Sequence, residues 1–220
     1  NLSSEDTHSL SYTSKLLHTV LSNLLTINNM HRLTLCGSDV QSYKYLIEHF
    51  AILGDYYTEE ELALYISAHK KMLQEGNAIS SDHITIDFND MIYLPNALGL
   101  QPKKQYGYVF VDECQDLSQA QIGIVKKYLR QDGRLLAVGD PYQAIYGFAG
   151  ADSDSYEQVK EAFNCQEFSL AECFRCPQAV VEIARTIRPD ITTNKTEGSV
   201  MRIEQDAILH YINVSSMKIN

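Results

Sequence analysis

Two acids stand side by side where an apolar run ends: Tyr108-Val109-Phe110-Val111 leads directly into Asp112-Glu113. A short continuous run of β-branched and aromatic residues reads as a strand buried on both faces of a parallel sheet, and open α/β sheets place their ligand crevices beyond the carboxyl ends of such strands. With a nucleoside triphosphate there, Asp112 is suited to hold Mg²⁺, directly or through water, and Glu113 to orient and deprotonate the attacking water. The plainer alternative is a strand ending in two solvated acids, since acids are common loop residues.

A second cluster follows the apolar run Leu135-Leu136-Ala137-Val138, in Gly139-Asp140-Pro141-Tyr142-Gln143-Ala144-Ile145-Tyr146-Gly147-Phe148-Ala149-Gly150-Ala151. The amide of Gln143 can donate to a phosphate or a catalytic water and accept from a neighbour, which suits it to sense a γ-phosphate. Tyr146 and Phe148 offer flat faces on which bases could stack, or else serve the core; for Tyr142 the core is the expectation. The third cluster, Leu170-Ala171-Glu172-Cys173-Phe174-Arg175-Cys176-Pro177, carries Arg175, whose guanidinium could reach a transferring phosphoryl group.

These clusters need elements to position them. Apolar residues at Leu10, Leu16, Leu17, Val20, Leu21, Leu24 and Leu25 recur at helical spacing, and Tyr43, Leu46, Ile47 and Phe50 do so within a second helix over 40–53. A third helix begins at Thr58, capped with the help of Glu61, and carries Leu62, Tyr65, Ile66 and Met72 on one side. The texture then changes to strand (108–111), helix (118–130, with a Ser118/Gln121 capping box), strand (135–138) and helix (154–163). A strand over 167–170, a helix opened by Pro177 and a strand over 200–203 continue the alternation, so the fold class is α/β.

The 220 residues carry 18 basic against 28 acidic side chains, a formal charge of −10, which excludes nucleic-acid binding through overall positive charge and makes any such contact local. The sequence has no apolar run long enough to cross a bilayer and opens on neither a basic nor an apolar signal segment, so a soluble cytoplasmic or nuclear setting without a membrane is expected. Five cysteines, an odd number, fit reduced thiols; Cys173 and Cys176 form a C-x-x-C pair, but no second pair follows at zinc-site spacing. Asn1 in place of methionine suggests that the gene starts earlier.

In order and spacing, the three clusters resemble the UvrD/PcrA/Rep family of superfamily 1 DNA helicases. VDECQD at 111–116 is similar to that family's Walker B motif, VGDPYQAIYGFAGAD at 138–152 to its third motif and LAECFRCP at 170–177 to its fourth, while Asp87-Phe88-Asn89-Asp90-Met91 resembles the segment leading back into the first motor domain. The resemblance implies a RecA-like P-loop NTPase motor domain, a parallel sheet flanked by helices, with a helical insertion. It assigns 1–86 to the inserted subdomain, 87–171 to the first motor core, and 172–220 to the fourth motif and the start of a second motor domain. ATP and Mg²⁺ are the implied cofactors and single-stranded or duplex DNA the implied partner, with translocation typically 3′ to 5′. Asp112 would be the magnesium residue, Glu113 the general base, Gln143 the coupling residue, Tyr146 and Phe148 the base contacts and Arg175 a γ-phosphate arginine.

The sequence also departs from the family. No glycine is followed by lysine, so the phosphate-cradling G-x-x-x-x-G-K-[ST] loop is absent, and with it much of the anchorage for ATP. Ala149 stands where the family usually has arginine, and Pro141-Tyr142 replaces a more acidic pair. The favoured expectation is a segment of an ATP-dependent DNA helicase or translocase, inactive in isolation. The alternatives are a subunit whose partner protein supplies the loop and a non-hydrolysing module that binds DNA or protein.

Overall fold

A computed structural model describes residues 4–54, 56–83, 85–144 and 154–202. The chain divides into two compact units, Asn1–Gln166 and Glu167–Asn220. The first begins with three helices, α1 (Ser4–Thr34), α2 (Val40–His49) and α3 (Glu59–His83), then α4 (Phe88–Ala97). Strand β1 (Tyr106–Val111), helix α5 (Gln119–Tyr128), strand β2 (Leu129–Ala137) and helix α6 (Ser155–Phe163) complete it. The two strands pair in parallel, Val109 opposite Leu135 and Val111 opposite Ala137, as the α/β expectation requires.

Local chemistry accounts for the element starts. The Thr58 hydroxyl accepts from the Glu61 N–H while the Glu61 carboxylate accepts from the Thr58 N–H, the reciprocal cap expected for α3. Ser118 and Gln121 make the same exchange at α5. Helix α4 lies where the sequence reading assigned no element, and Pro95 is inside it. Its start is fixed by Asp87 and Asp90, each carboxylate accepting from the other's backbone N–H. Pro95 sits in the last turn, where its missing N–H removes one intrahelical bond, and the helix ends two residues later.

Two apolar cores result. Ile27, Met30, Tyr43, Leu46, Ile47, Leu62 and Ile66 bind α1, α2 and α3 together. Cys114, Ile122 and Val159 form the second, with Val111, Leu135 and Ala137 packed against it. The expected stripe on α1 is corrected here: Leu16, Leu17, Leu21 and Leu25 are exposed, and burial begins at Ile27, where α2 and α3 pack. α2 ends at His49, short of the expected 53.

The expectation that β1 is buried on both faces is also overturned. Its burial alternates, with Val109 and Val111 half-buried and Tyr106, Tyr108 and Phe110 exposed, because the sheet has two strands among the described residues and α5 and α6 cover one face. The second unit holds helix α7 (Gln178–Ala184), with Pro177 at its N-cap, one residue before the first turn in which it was expected. The strands expected over 167–170 and 200–203 are absent from the described residues there; a single parallel bridge joins Glu172 to Thr192 instead. No helix among the described residues is long and apolar enough to cross a membrane.

Candidate functional site

β1 delivers Asp112 and Glu113 to the edge of the sheet, and both side chains are exposed to solvent. The chain then turns sharply. Glu113 adopts φ 51° and ψ 45°, the left-handed region that a non-glycine residue rarely occupies, and a single 3-10 turn over Cys114–Asp116 follows. Asp112 Oδ1 accepts from the Glu113 backbone N–H at 3.0 Å, supporting the turn from the side chain before it. Such local strain is found preferentially where a site must be held in one geometry.

β2 brings the second cluster to the same edge. Val138 N–H donates to Val111 C=O at 2.8 Å and Cys114 N–H to Val138 C=O at 2.9 Å, so the two strand ends are stitched together just before and after the acids. Gly139 lies where the crossing is tightest: a Cβ there would stand 2.6 Å from both Cys114 Sγ and Gln115 Oε1. A second 3-10 turn, Pro141–Gln143, is capped by Asp140, whose carboxylate accepts from Tyr142 N–H at 3.1 Å and from Gln143 Nε2 at 2.8 Å. Tyr142 is 60% exposed, which overturns its assignment to the core.

One residue behind this edge escaped the sequence reading. Gln115 is 2% exposed; its Nε2 donates to Glu113 Oε2 at 2.8 Å and its Oε1 accepts from Asp140 N–H at 3.0 Å. The only signal in the sequence was its place among the acids of the run 111–116. Asp116 beside it has a buried Oδ1 without a partner, and burial, reinforced by Glu113, pushes its carboxyl pKa up.

Thus Asp112, Glu113 and Gln143 share one sheet edge. Arg175 belongs to the second unit, exposed on a bend before α7, where its backbone C=O accepts from Lys195 Nζ at 3.2 Å. Beside it, the Cys176 N–H donates to Cys173 Sγ at 3.3 Å; this bond first, and then the Arg175 region, lowers the Cys173 thiol pKa. Tyr146, Phe148 and Ala149 lie outside the described residues.

As to cofactors, magnesium bound beside a nucleotide usually takes one or two carboxylates and completes its shell with phosphates and water, which the exposed Asp112 fits. The phosphates themselves find no glycine–lysine cradle in this sequence. The edge can therefore hold a cation and a water, and accept or donate through Gln143.

The chain is 28% identical over 134 residues to a probable DNA helicase II homolog of Mycoplasma pneumoniae, covering 60% of the chain and 19% of the relative. It is 26% identical over 148 residues to the ATP-dependent DNA helicase PcrA of Bacillus subtilis, covering 67% and 20%, and 35% identical over 97 residues to the RecBCD enzyme subunit RecB of Buchnera aphidicola, covering 42% and 8%. The chain thus spans a fifth or less of the length of these relatives. The family model for the UvrD/REP helicase N-terminal domain matches residues 4–164, well over half of the chain, which therefore belongs to the UvrD-like superfamily 1 helicases.

Proposed function

We propose that this chain is the part of an ATP-dependent DNA helicase that activates the hydrolytic water and passes the state of the nucleotide to single-stranded DNA. The observation that carries the reading is the exposed Asp112-Glu113 pair, held on a strained turn at the same sheet edge as Gln143. In this reading residues 1–86 form the inserted helical subdomain, 87–171 the RecA-like core of the first motor domain, and 172–220 the fourth motif and the opening of a second motor domain.

The chemistry proposed for each side chain follows from its place in the sequence motifs. Asp112 would hold Mg²⁺, which when bound neutralises charge on the phosphate oxygens. Glu113 accepts a proton from the water that attacks the γ-phosphorus in line, its carboxylate open to solvent on one side and held by Gln115 on the other. Gln143 presents its amide to the nucleotide from a turn pinned by Asp140. Arg175 contributes a guanidinium to the charge developing on the phosphoryl oxygens, and Tyr146 and Phe148 stack on bases of the strand.

A second reading is supported by one observation, that no glycine precedes a lysine. A partner protein would then supply the phosphate loop, or the chain would bind DNA or protein without hydrolysis. Mg²⁺-dependent ATP turnover by the complete protein, measured with and without single-stranded DNA, separates the readings. Turnover stimulated by DNA is expected; DNA binding with no turnover under any condition would favour the non-hydrolysing module.

A further inference from the structure

We propose that Gln115 is a positioning residue that ties the Glu113 carboxylate to the Asp140–Gln143 turn, so that the geometry of the base follows the state of that turn. The inference rests on the reading of Glu113 as the base. Three hydrogen bonds run in series: Gln115 Nε2 to Glu113 Oε2 at 2.8 Å, Asp140 N–H to Gln115 Oε1 at 3.0 Å, and Gln143 Nε2 to Asp140 Oδ2 at 2.8 Å. They join the residue that would take the proton to the residue that would sense the nucleotide. The orientation of the Gln115 amide is not arbitrary: a backbone N–H can only donate and an ionised carboxylate can only accept, so Oε1 must face Asp140 and Nε2 must face Glu113.

Two further features protect this contact. Gln115 is 2% exposed, so water cannot readily replace either bond, and a buried amide deprived of partners is costly. Gly139 supplies the room, since a Cβ at that position would stand 2.6 Å from Gln115 Oε1. Glu113, by contrast, is exposed and sits on a left-handed backbone, so its carboxylate depends on Gln115 for a fixed direction. A shift of the Asp140–Gln143 turn is then transmitted to the base through one rigid amide, whereas a staple that served only the fold would leave the two unlinked.

The test uses Gln115→Met, which keeps the volume and removes every hydrogen bond of the amide, to Glu113, Asp140 and Asp116, in the complete helicase that carries this chain. The expected result is a fall in DNA-stimulated kcat of about tenfold with the KM for ATP within about twofold, the pattern of a lost transition-state interaction. The loss should not add to that of Gln143→Ala: the double variant should be no slower than the slower single one. Gly139→Ala disturbs the same amide from the other side and should reproduce both results. Additive losses, or wild-type kcat in folded Gln115→Met, would overturn the inference. Glu113→Gln run in parallel keeps the two claims apart. If it abolishes turnover while the other losses add, the hydrolytic reading stands and the role of Gln115 falls; if it leaves turnover intact, both fall.

Discussion

His69 and Glu113 are each held by one short hydrogen bond from a neighbouring side chain, the Tyr43 hydroxyl at 2.7 Å and Gln115 Nε2 at 2.8 Å, yet His69 is fully buried and Glu113 is open to solvent. Around His69 the helical region closes on itself. Its Nε2 faces Asn28 Oδ1 at 3.3 Å, which can only accept, and with its pKa lowered by burial to about 4 the ring is neutral near pH 7, so Nδ1 accepts from the Tyr43 hydroxyl. His31 lies tilted beside it with ring centroids 4.9 Å apart, and Arg32 is spent on Asp87, Asp90 and Asn29. At the sheet edge the order is reversed: the acids face outward and the buried amide stands behind them. The polar cluster packed between the helices serves the fold, although His31 Nδ1 and Arg32 Nε are buried there without a partner, while polar groups held from behind and bare in front are ready for a ligand.

Acid should break the helical side of this comparison most severely. Burial lowers the His31 pKa from 6.5 to about 4, and burial first, then His31 and Arg32, lower that of His69 to about 4. The folded values lie below the unfolded one, so the unfolded chain takes up protons first. Stability is full above about pH 6.5 and falls steadily towards pH 4, by on the order of 3 kcal/mol for each histidine. Urea unfolding followed at pH 7, 5.5 and 4.5 measures it, and replacing both histidines should flatten the dependence.

Arg32→Ala comes next. Arg32 is 6% exposed and bonds Asp87 and Asp90 at 2.9 Å; its guanidinium, with the Asp90 N–H, also holds the Asp87 carboxyl below its usual pKa against the opposing effect of burial. Its removal leaves Asp90 largely buried without its cation and should cost about 3–5 kcal/mol. Thermal unfolding reads this as a lower Tm. Gly139→Ala sharpens the other side: the added methyl should cost about 1–3 kcal/mol in stability and, unlike Arg32→Ala, should also slow turnover in the complete protein. The smallest effect is expected at Ser118→Ala, where loss of the α5 cap costs about 1 kcal/mol in urea unfolding.

Much of the positioning frame was legible beforehand because local rules acted without competition. The caps at Thr58 and Ser118, the parallel strands and the acids at the end of β1 all follow from residue type and spacing. Where tertiary context decides, the reading failed. The α1 leucines matched a helical stripe, but spacing does not say which turns another helix covers. The run Tyr108–Val111 looked buried on both faces because composition reports apolar character and not what packs on each side. Gln115 was invisible for a deeper reason: besides its neighbour Asp116, its partners are a side chain two residues back and a backbone N–H 25 residues on, brought together only when Glu113 turns left-handed and Gly139 allows the crossing.

The central claim is that Glu113 takes the proton of the attacking water. Nucleotide binding and turnover measured side by side in Glu113→Gln of the complete protein test it most directly. The account predicts ATP bound with affinity near that of the wild type and turnover reduced by at least about a hundredfold. Turnover close to the wild-type rate would contradict it.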